Sequence, residues 1–197
     1  MAYTSPPLTS PSKSHNMSQF GGLSSQPQLQ QQGWYPVYRP EFDTAAFGAL
    51  DPVKRYHEGV FVELDATTHK GTLFHVTGDI ISANGMYYEE RKDYAPSLSE
   101  HLFRNTQIGW VRKDDIHSGK ITAILRGLPT PPRQQGLDFW DKEKDPVTKQ
   151  TKIIWMRQDG ERYGPGEQRR PVFKCNEWIH QYAIPALRAA GVLHDSI

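Results

Sequence analysis

Short runs of alternating apolar and polar residues fill the middle of the chain. Over residues 57–64, Val60, Val62 and Leu64 fall on every second position, which is typical of a β-strand with one buried face. A second strand is predicted over 71–77, and the polar loop between the two makes them a hairpin. Further strands are expected near 85–91 and 107–111. Short strands in succession, separated by turn residues, favour an antiparallel meander over βαβ units.

Helical spacing replaces this alternation near the C-terminus. From Cys175 to about Ala190, apolar residues recur at intervals of three and four, and Gly191 is a typical helix stop. Pro185 lies inside the pattern and is expected to kink or shorten the helix, because it has no N–H to donate. A further helical or extended element is expected over 116–128. The pattern therefore predicts an α+β domain in which the meander packs against a C-terminal helix that begins at Cys175.

The remaining segments set the domain boundaries. Residues 1–33 contain 7 Ser, 4 Pro and 6 Gln with Lys13 as the one charged side chain, so we expect a disordered tail. Residues 34–50, rich in aromatics and prolines, are predicted to be an irregular lead-in that packs onto the domain. Residues 134–170 are charged and turn-rich, with an apolar island at 153–156, and are expected to form a hairpin insertion. We thus predict a single domain over 34–197.

Charge and hydropathy narrow the classes of function. The chain has 197 residues and a net charge of +1, which argues against a nucleic-acid or anionic-membrane binder. No apolar run has the length of a membrane span or the form of a secretory signal, so a cytoplasmic location is expected. A transit peptide is the alternative for the Ser-rich start, although such peptides carry several arginines. The sequence does not indicate an oligomeric state.

Cys175 is the chain's one cysteine, so an intramolecular disulfide is excluded. Its predicted place at a helix N-terminus puts unpaired N–H groups beside the sulfur, which would lower the pKa of the thiol. Cys175 is therefore a candidate nucleophile. The alternative is a small buried hydrophobic residue with no chemical role.

His57 and His75 are the candidate partners of this thiol. A hairpin register that places residue 61 opposite 73 makes the two histidines diagonal neighbours on one face of the sheet. Gly59 lies on the same face and would leave room beside the imidazoles. Taken singly, each histidine is also compatible with a purely structural role. Zinc bound by His57, His75 and Cys175 is conceivable by ligand type, but the spacing matches no standard site.

Three short motifs carry a family resemblance. HEGVFV (57–62), GTLFHV (71–76) and CNEWI (175–179) resemble successive motifs of a broad family of small fungal proteins of unknown function. Those motifs are in turn similar to the circularly permuted NlpC-type papain-like enzymes, which include lecithin:retinol acyltransferase and the PPPDE peptidases. The order histidine, histidine, cysteine is the permuted order.

The resemblance implies a permuted papain-like fold with Cys175 as nucleophile, His57 as base and His75 as the residue that orients His57. Glu58, where those enzymes commonly have an aromatic residue, and Pro185 depart from the pattern. The function implied is cysteine-dependent acyl transfer on an amide, ester or thioester of an acyl or peptide-like substrate, with no cofactor. The alternative is a non-catalytic binding module that keeps the fold with a degenerate site.

Overall fold

A six-stranded antiparallel sheet forms the centre of the computed structural model, which describes residues 33–44, 54–141 and 151–197. All of the predicted tail except Gly33 lies outside the described residues. In chain order the strands are β1 (Trp34–Phe42), β2 (His57–Glu58), β3 (Val60–Asp65), β4 (Lys70–Gly78), β5 (Met86–Tyr94) and β6 (Leu102–Arg112). Together with the helices of the C-terminal half, they make an α+β architecture, as predicted.

The expected meander is present in β3, β4 and β5. Phe61 lies opposite Leu73, which is the register assumed in the sequence analysis, and β4 then pairs with β5. The prediction that β6 would extend this meander was wrong. β6 pairs with β1 instead of lying beside β5. The described part of the sheet therefore places the earliest strand, β1, between β6 and the β2–β3 pair.

β1 occupies the first part of the segment 34–50 that the sequence analysis assigned to an irregular lead-in, and for residues 34–42 that assignment was wrong. Residues 45–50 of the segment lie outside the described part. Pro36 and Pro40 lie within the strand and pair with β6. On the other side of β1, pairing is limited to positions 37–38 and 41–42, so neither proline falls in that ladder. A proline has no N–H for a ladder, and the interrupted pairing lets a strand with two prolines lie inside a sheet.

Two apolar clusters lie on the two faces of the sheet. The larger one joins Val60, Val62 and Phe74 to Trp178 and Leu187 of the C-terminal helix. The smaller one contains Phe42, Phe61 and Leu73. Because neighbouring residues of a strand point to opposite faces, His75, between Phe74 and Val76, faces the side of the smaller cluster.

The C-terminal helix begins at Cys175, as predicted, and Pro185 changes its winding without ending it. It comprises α3 (Cys175–Glu177), a π-helical segment (Trp178–Ala183) and α4 (Ile184–Ala189). In the wide turn, the N–H of Ile184 donates to the carbonyl of Ile179, five residues earlier. A π turn just before Pro185 removes the need for the bond that proline cannot make. The helix therefore does not stop at Pro185; it continues to Ala189 after a local change of pitch.

The shorter elements agree with the sequence pattern. Residues 113–126 form two helices, α1 (Lys113–His117) and α2 (Lys120–Arg126). The expected hairpin insertion contains β7 (Gln135–Leu137) paired with β8 (Ile153–Trp155), and residues 142–150 between them lie outside the described part. No helix among the described residues is both long and apolar enough to cross a bilayer.

Candidate functional site

Cys175 lies at the point where the C-terminal helix meets the sheet, and 7% of its surface is exposed. The next residue, Asn176, ties the helix start to β2. Its Nδ2 donates to the carbonyl of Tyr56 at 3.0 Å and to Oε1 of Glu58 at 2.7 Å. Arg55 adds an ion pair with Glu177 at 2.6 Å. These contacts fix the thiol beside the strand that carries His57.

Burial dominates the electrostatics of the thiol. It raises the pKa of Cys175, and the carboxylates of Glu58 and Glu177 raise it further. The backbone N–H groups of Glu58 and Asn176 near the sulfur oppose this effect. The prediction that the helix N-terminus lowers the pKa of Cys175 was therefore wrong, because burial outweighs it. The raised pKa favours the protonated thiol at neutral pH.

His57 and His75 are in direct contact, as the hairpin register implied. Nε2 of His57 and Nδ1 of His75 are 2.8 Å apart. On the far side of His75, its Nε2 lies 2.9 Å from Oε2 of Glu89, which is opposite His75 in the β4–β5 ladder. His75 is 4% exposed. The three side chains form a hydrogen-bonded chain in the order Glu89, His75, His57.

The carboxylate at one end assigns the protons along this chain. Glu89 accepts hydrogen bonds when ionised, so Nε2 of His75 donates to it. Nδ1 of a neutral His75 is then an acceptor, and Nε2 of His57 donates to it. The lone pair of His57 is then on Nδ1. Nε2 is held by its hydrogen bond to His75, and Nδ1 is the nitrogen that can accept a proton.

Burial favours the neutral form of both imidazoles. Burial, followed by the charges of His75 and Arg91, lowers the pKa of His57 from 6.5 to about 4. Burial also lowers the pKa of His75, although the hydrogen bond and charge of Glu89 act in the opposite direction. At neutral pH, His57 is therefore unprotonated and able to accept a proton.

Two pockets meet at His57. The smaller, of about 100 Å³, is lined by His57 together with Cys175 and Asn176. The larger, of about 320 Å³, is lined by both histidines and by Leu73 and Arg91. His57 thus connects the pocket of the thiol to a second, wider pocket. None of the hydrogen bonds of the thiol goes to His57 or His75; its side-chain contact is with Oδ1 of Asn176 at 3.8 Å.

The space expected beside Gly59 is taken by the protein itself. A Cβ at this position would lie 2.6 Å from Cδ1 of Leu73 and 3.3 Å from Cβ of His75. Both distances are too short for an alanine without movement of a neighbour. Gly59 therefore lets β4 and its histidine approach β2 closely, and it leaves no room for a substrate there.

Sequence reasoning missed Glu89 and Asn176. Glu89 lies between Tyr87 and Arg91 on one face of β5, so the alternation within the strand could have shown which face it occupies. Its pairing with His75 could not be predicted, because it depends on the register across the 79–85 turn. Nothing in the sequence near Asn176 indicates its role, because its partners are Glu58 in β2 and Tyr56, the residue before β2. Glu58, noted as a departure from the family pattern, is the buried carboxylate that receives Asn176.

The structure also bears on the zinc alternative. Among residues 33–44, 54–141 and 151–197, no group of three or more His, Cys, Asp or Glu side chains is arranged so that it could hold a metal ion. This includes the set of His57, His75 and Cys175.

Comparison with known proteins identifies a family. The chain belongs to DUF6540, a family of unknown function, whose sequence model matches residues 48–194. The match includes His57, His75, Glu89 and Cys175. No curated protein and no solved structure gives a match.

Proposed function

We propose that this member of the DUF6540 family is a cysteine-dependent acyl-transfer enzyme with the circularly permuted NlpC-type papain-like arrangement. The observation that carries the proposal is the hydrogen-bonded chain from Glu89 through His75 to His57, which ends at a pocket that Cys175 also lines. A nucleophile, a base and a residue that orients the base are the three parts this chemistry requires.

In the first step, the neutral thiol of Cys175 attacks the carbonyl carbon of an ester, thioester or amide. As the S–C bond forms, Nδ1 of His57 accepts the thiol proton and the carbonyl oxygen takes the negative charge. The intermediate then collapses, the bond to the leaving group breaks, and that group departs with the proton from His57. The product of this half-reaction is a thioester on Cys175.

In the second step, an acceptor with an O–H or N–H group attacks the thioester. His57 takes the acceptor's proton and returns it to the sulfur as the C–S bond breaks. Water as acceptor gives hydrolysis, and an amine or alcohol gives acyl transfer. Every proton is accounted for without a cofactor.

His75 and Glu89 are positioning residues in this scheme. Their hydrogen bonds fix the His57 tautomer with its lone pair on Nδ1, and Glu89 stabilises the positive charge that spreads over the pair when His57 is protonated. The first-turn N–H groups of the helix at Cys175 have no partner within the helix and would stabilise the negative carbonyl oxygen.

A second candidate function is a non-catalytic binding module. It is favoured by the raised pKa of Cys175 and by the lack of a hydrogen bond from the thiol to His57. Under this alternative, the two pockets would hold a ligand without forming a covalent bond to it.

An acylation experiment separates the two. The protein is mixed with p-nitrophenyl acetate near neutral pH, and intact-mass and peptide spectra locate any acetyl group. The enzyme predicts rapid acetylation of Cys175, none in Cys175→Ala, and a rate at least about a hundredfold lower in His57→Gln, the usual contribution of a general base. The matched control His117→Gln alters an exposed histidine and should react as the wild type does. Equal rates in wild type and His57→Gln would support the binding module.

A further inference from the structure

The larger pocket beside His57 has one face built from cross-strand pairs of β4 and β5. Leu73 lies opposite Arg91, and His75 lies opposite Glu89. Directly opposed residues of an antiparallel pair point to the same side of the sheet, so Arg91 shares a face with His75. The pocket has a volume of about 320 Å³, at the lower end of the range for small-ligand sites.

The lining of this pocket combines an apolar floor with hydrogen-bond donors. Phe42, Leu73 and Tyr94 supply the apolar part. Hydroxyl groups, imidazoles and one guanidinium supply the polar part, from Thr44, His57, His75, Thr77, Arg91, Ser99 and His101. None of the described lining residues is acidic. Such a lining suits a short apolar chain that carries a hydrogen-bond acceptor with negative charge.

Arg91 is the fixed positive charge of this pocket. Its guanidinium lies 4.6 Å from the centre of the Tyr94 ring, which holds it at the pocket wall. Its charge also lowers the pKa of both His57 and His75, so its field reaches the imidazoles of the candidate active site. Within the described residues, Arg91 makes no hydrogen bond or ion pair with a carboxylate.

The three carboxylates of β5 already have partners among the described residues, whereas Arg91 has no carboxylate partner there. The carboxylate of Glu89 is engaged by His75, that of Glu90 by Arg126, and that of Asp93 by Lys70. An arginine without a carboxylate partner in an acid-free pocket is a typical ligand for a carboxylate or phosphate, because the guanidinium presents two parallel N–H groups to the anion.

We propose that this pocket binds an anionic group of the substrate, a carboxylate or a phosphate on a short apolar chain, and that Arg91 is its ligand and determines this specificity. The assignment as a substrate subsite rests on the proposed acyl-transfer function, since the pocket adjoins His57. The binding of the anion does not require catalysis and is tested without it.

The test measures binding to the full chain by backbone amide shifts in nuclear magnetic resonance titrations. The probes are hexanoate, hexyl phosphate and the neutral hexanol, each with wild type, Arg91→Gln and Lys92→Gln. Lys92 is exposed like Arg91 and follows it on the strand but does not line the pocket, so the second variant removes the same charge outside the pocket. We expect one or both anions to bind at least about fivefold more tightly than hexanol, with shifts at Leu73, Tyr94 and His101.

Arg91→Gln should remove that preference, and Lys92→Gln should leave it unchanged within about twofold. A preference for hexanoate over hexyl phosphate assigns a carboxylate, and the reverse assigns a phosphate. Equal binding of anions and hexanol to wild type, or an anion preference that persists in Arg91→Gln, would overturn the proposal. None of the three probes can acylate Cys175. A negative result in this titration would therefore overturn the anion site without bearing on acyl transfer, which the p-nitrophenyl acetate experiment tests.

Discussion

The low pKa of His57 predicts a measurable dependence of stability on pH. In the folded protein the pKa is about 4, against 6.5 for an ordinary histidine. Between these two values the unfolded chain binds a proton at this imidazole and the folded chain does not. The free energy of unfolding must therefore rise with pH through this window and fall on acidification.

The size of the effect is set by the two pKa values. Each pH unit below 6.5 costs the folded state about 1.4 kcal/mol, until the folded imidazole itself becomes protonated near pH 4. Acidification from pH 7 to pH 5 should therefore remove about 2 kcal/mol through His57 alone. That is a large share of the 5–15 kcal/mol typical of a domain, so urea midpoints will report it.

The assay compares urea unfolding of wild type and His57→Gln at pH 7, 6 and 5. Glutamine keeps an N–H donor for Nδ1 of His75 but does not titrate, so the difference between the two pH slopes isolates His57. We expect wild type to lose about 2 kcal/mol more than the variant from pH 7 to pH 5. The control His117→Gln should behave like wild type, since that side chain is exposed. Parallel curves for wild type and His57→Gln would refute the reasoning, because they would show that His57 titrates as a solvated histidine.

Three further substitutions test the fold and the placement of the thiol, each by urea unfolding. Leu187→Ala opens a cavity in the main core, where Leu187 is 0% exposed, and should cost about 2–5 kcal/mol. Gly71→Ala drives a Cβ into the backbone carbonyl of Val62 and should cost about 1–3 kcal/mol or more by forcing β3 and β4 apart. Asn176→Ala leaves the buried Glu58 carboxylate without its amide donor; we expect a loss of about 1–3 kcal/mol and slower acylation of Cys175. No loss of stability in any one of the three would contradict the packing described for that residue.

The pairing of His57 with His75 could be predicted from the sequence because it depends on a local hairpin. Val60 and Val62 must face the same core as Phe74, and this requirement, together with the short loop, leaves few registers for the two strands. A slip of one residue would expose that core face. The histidines, close in sequence to these anchors, are placed by the same constraint.

The features that escaped prediction depend on distant parts of the chain. β1 contains Pro36 and Pro40, which argue against a strand, and the partner that secures it, β6, is remote in sequence. The pKa of Cys175 also depends on tertiary burial. A helix N-terminus favours the thiolate, but the sequence cannot show how deeply the sulfur is covered, and burial reverses the direction.

The role of His57 as the base for Cys175 is the central claim, and the pH dependence of Cys175 acylation tests it most directly. The rate of acetylation by p-nitrophenyl acetate is measured in wild type from about pH 3.5 to 8. A base with a pKa of about 4 is available across most of that range. We therefore predict a rate that rises through a midpoint near pH 4 and is nearly constant from about pH 5.5 to 8. A rate that instead climbs about tenfold per pH unit up to pH 8 would show that only the free thiolate reacts, and it would contradict the claim.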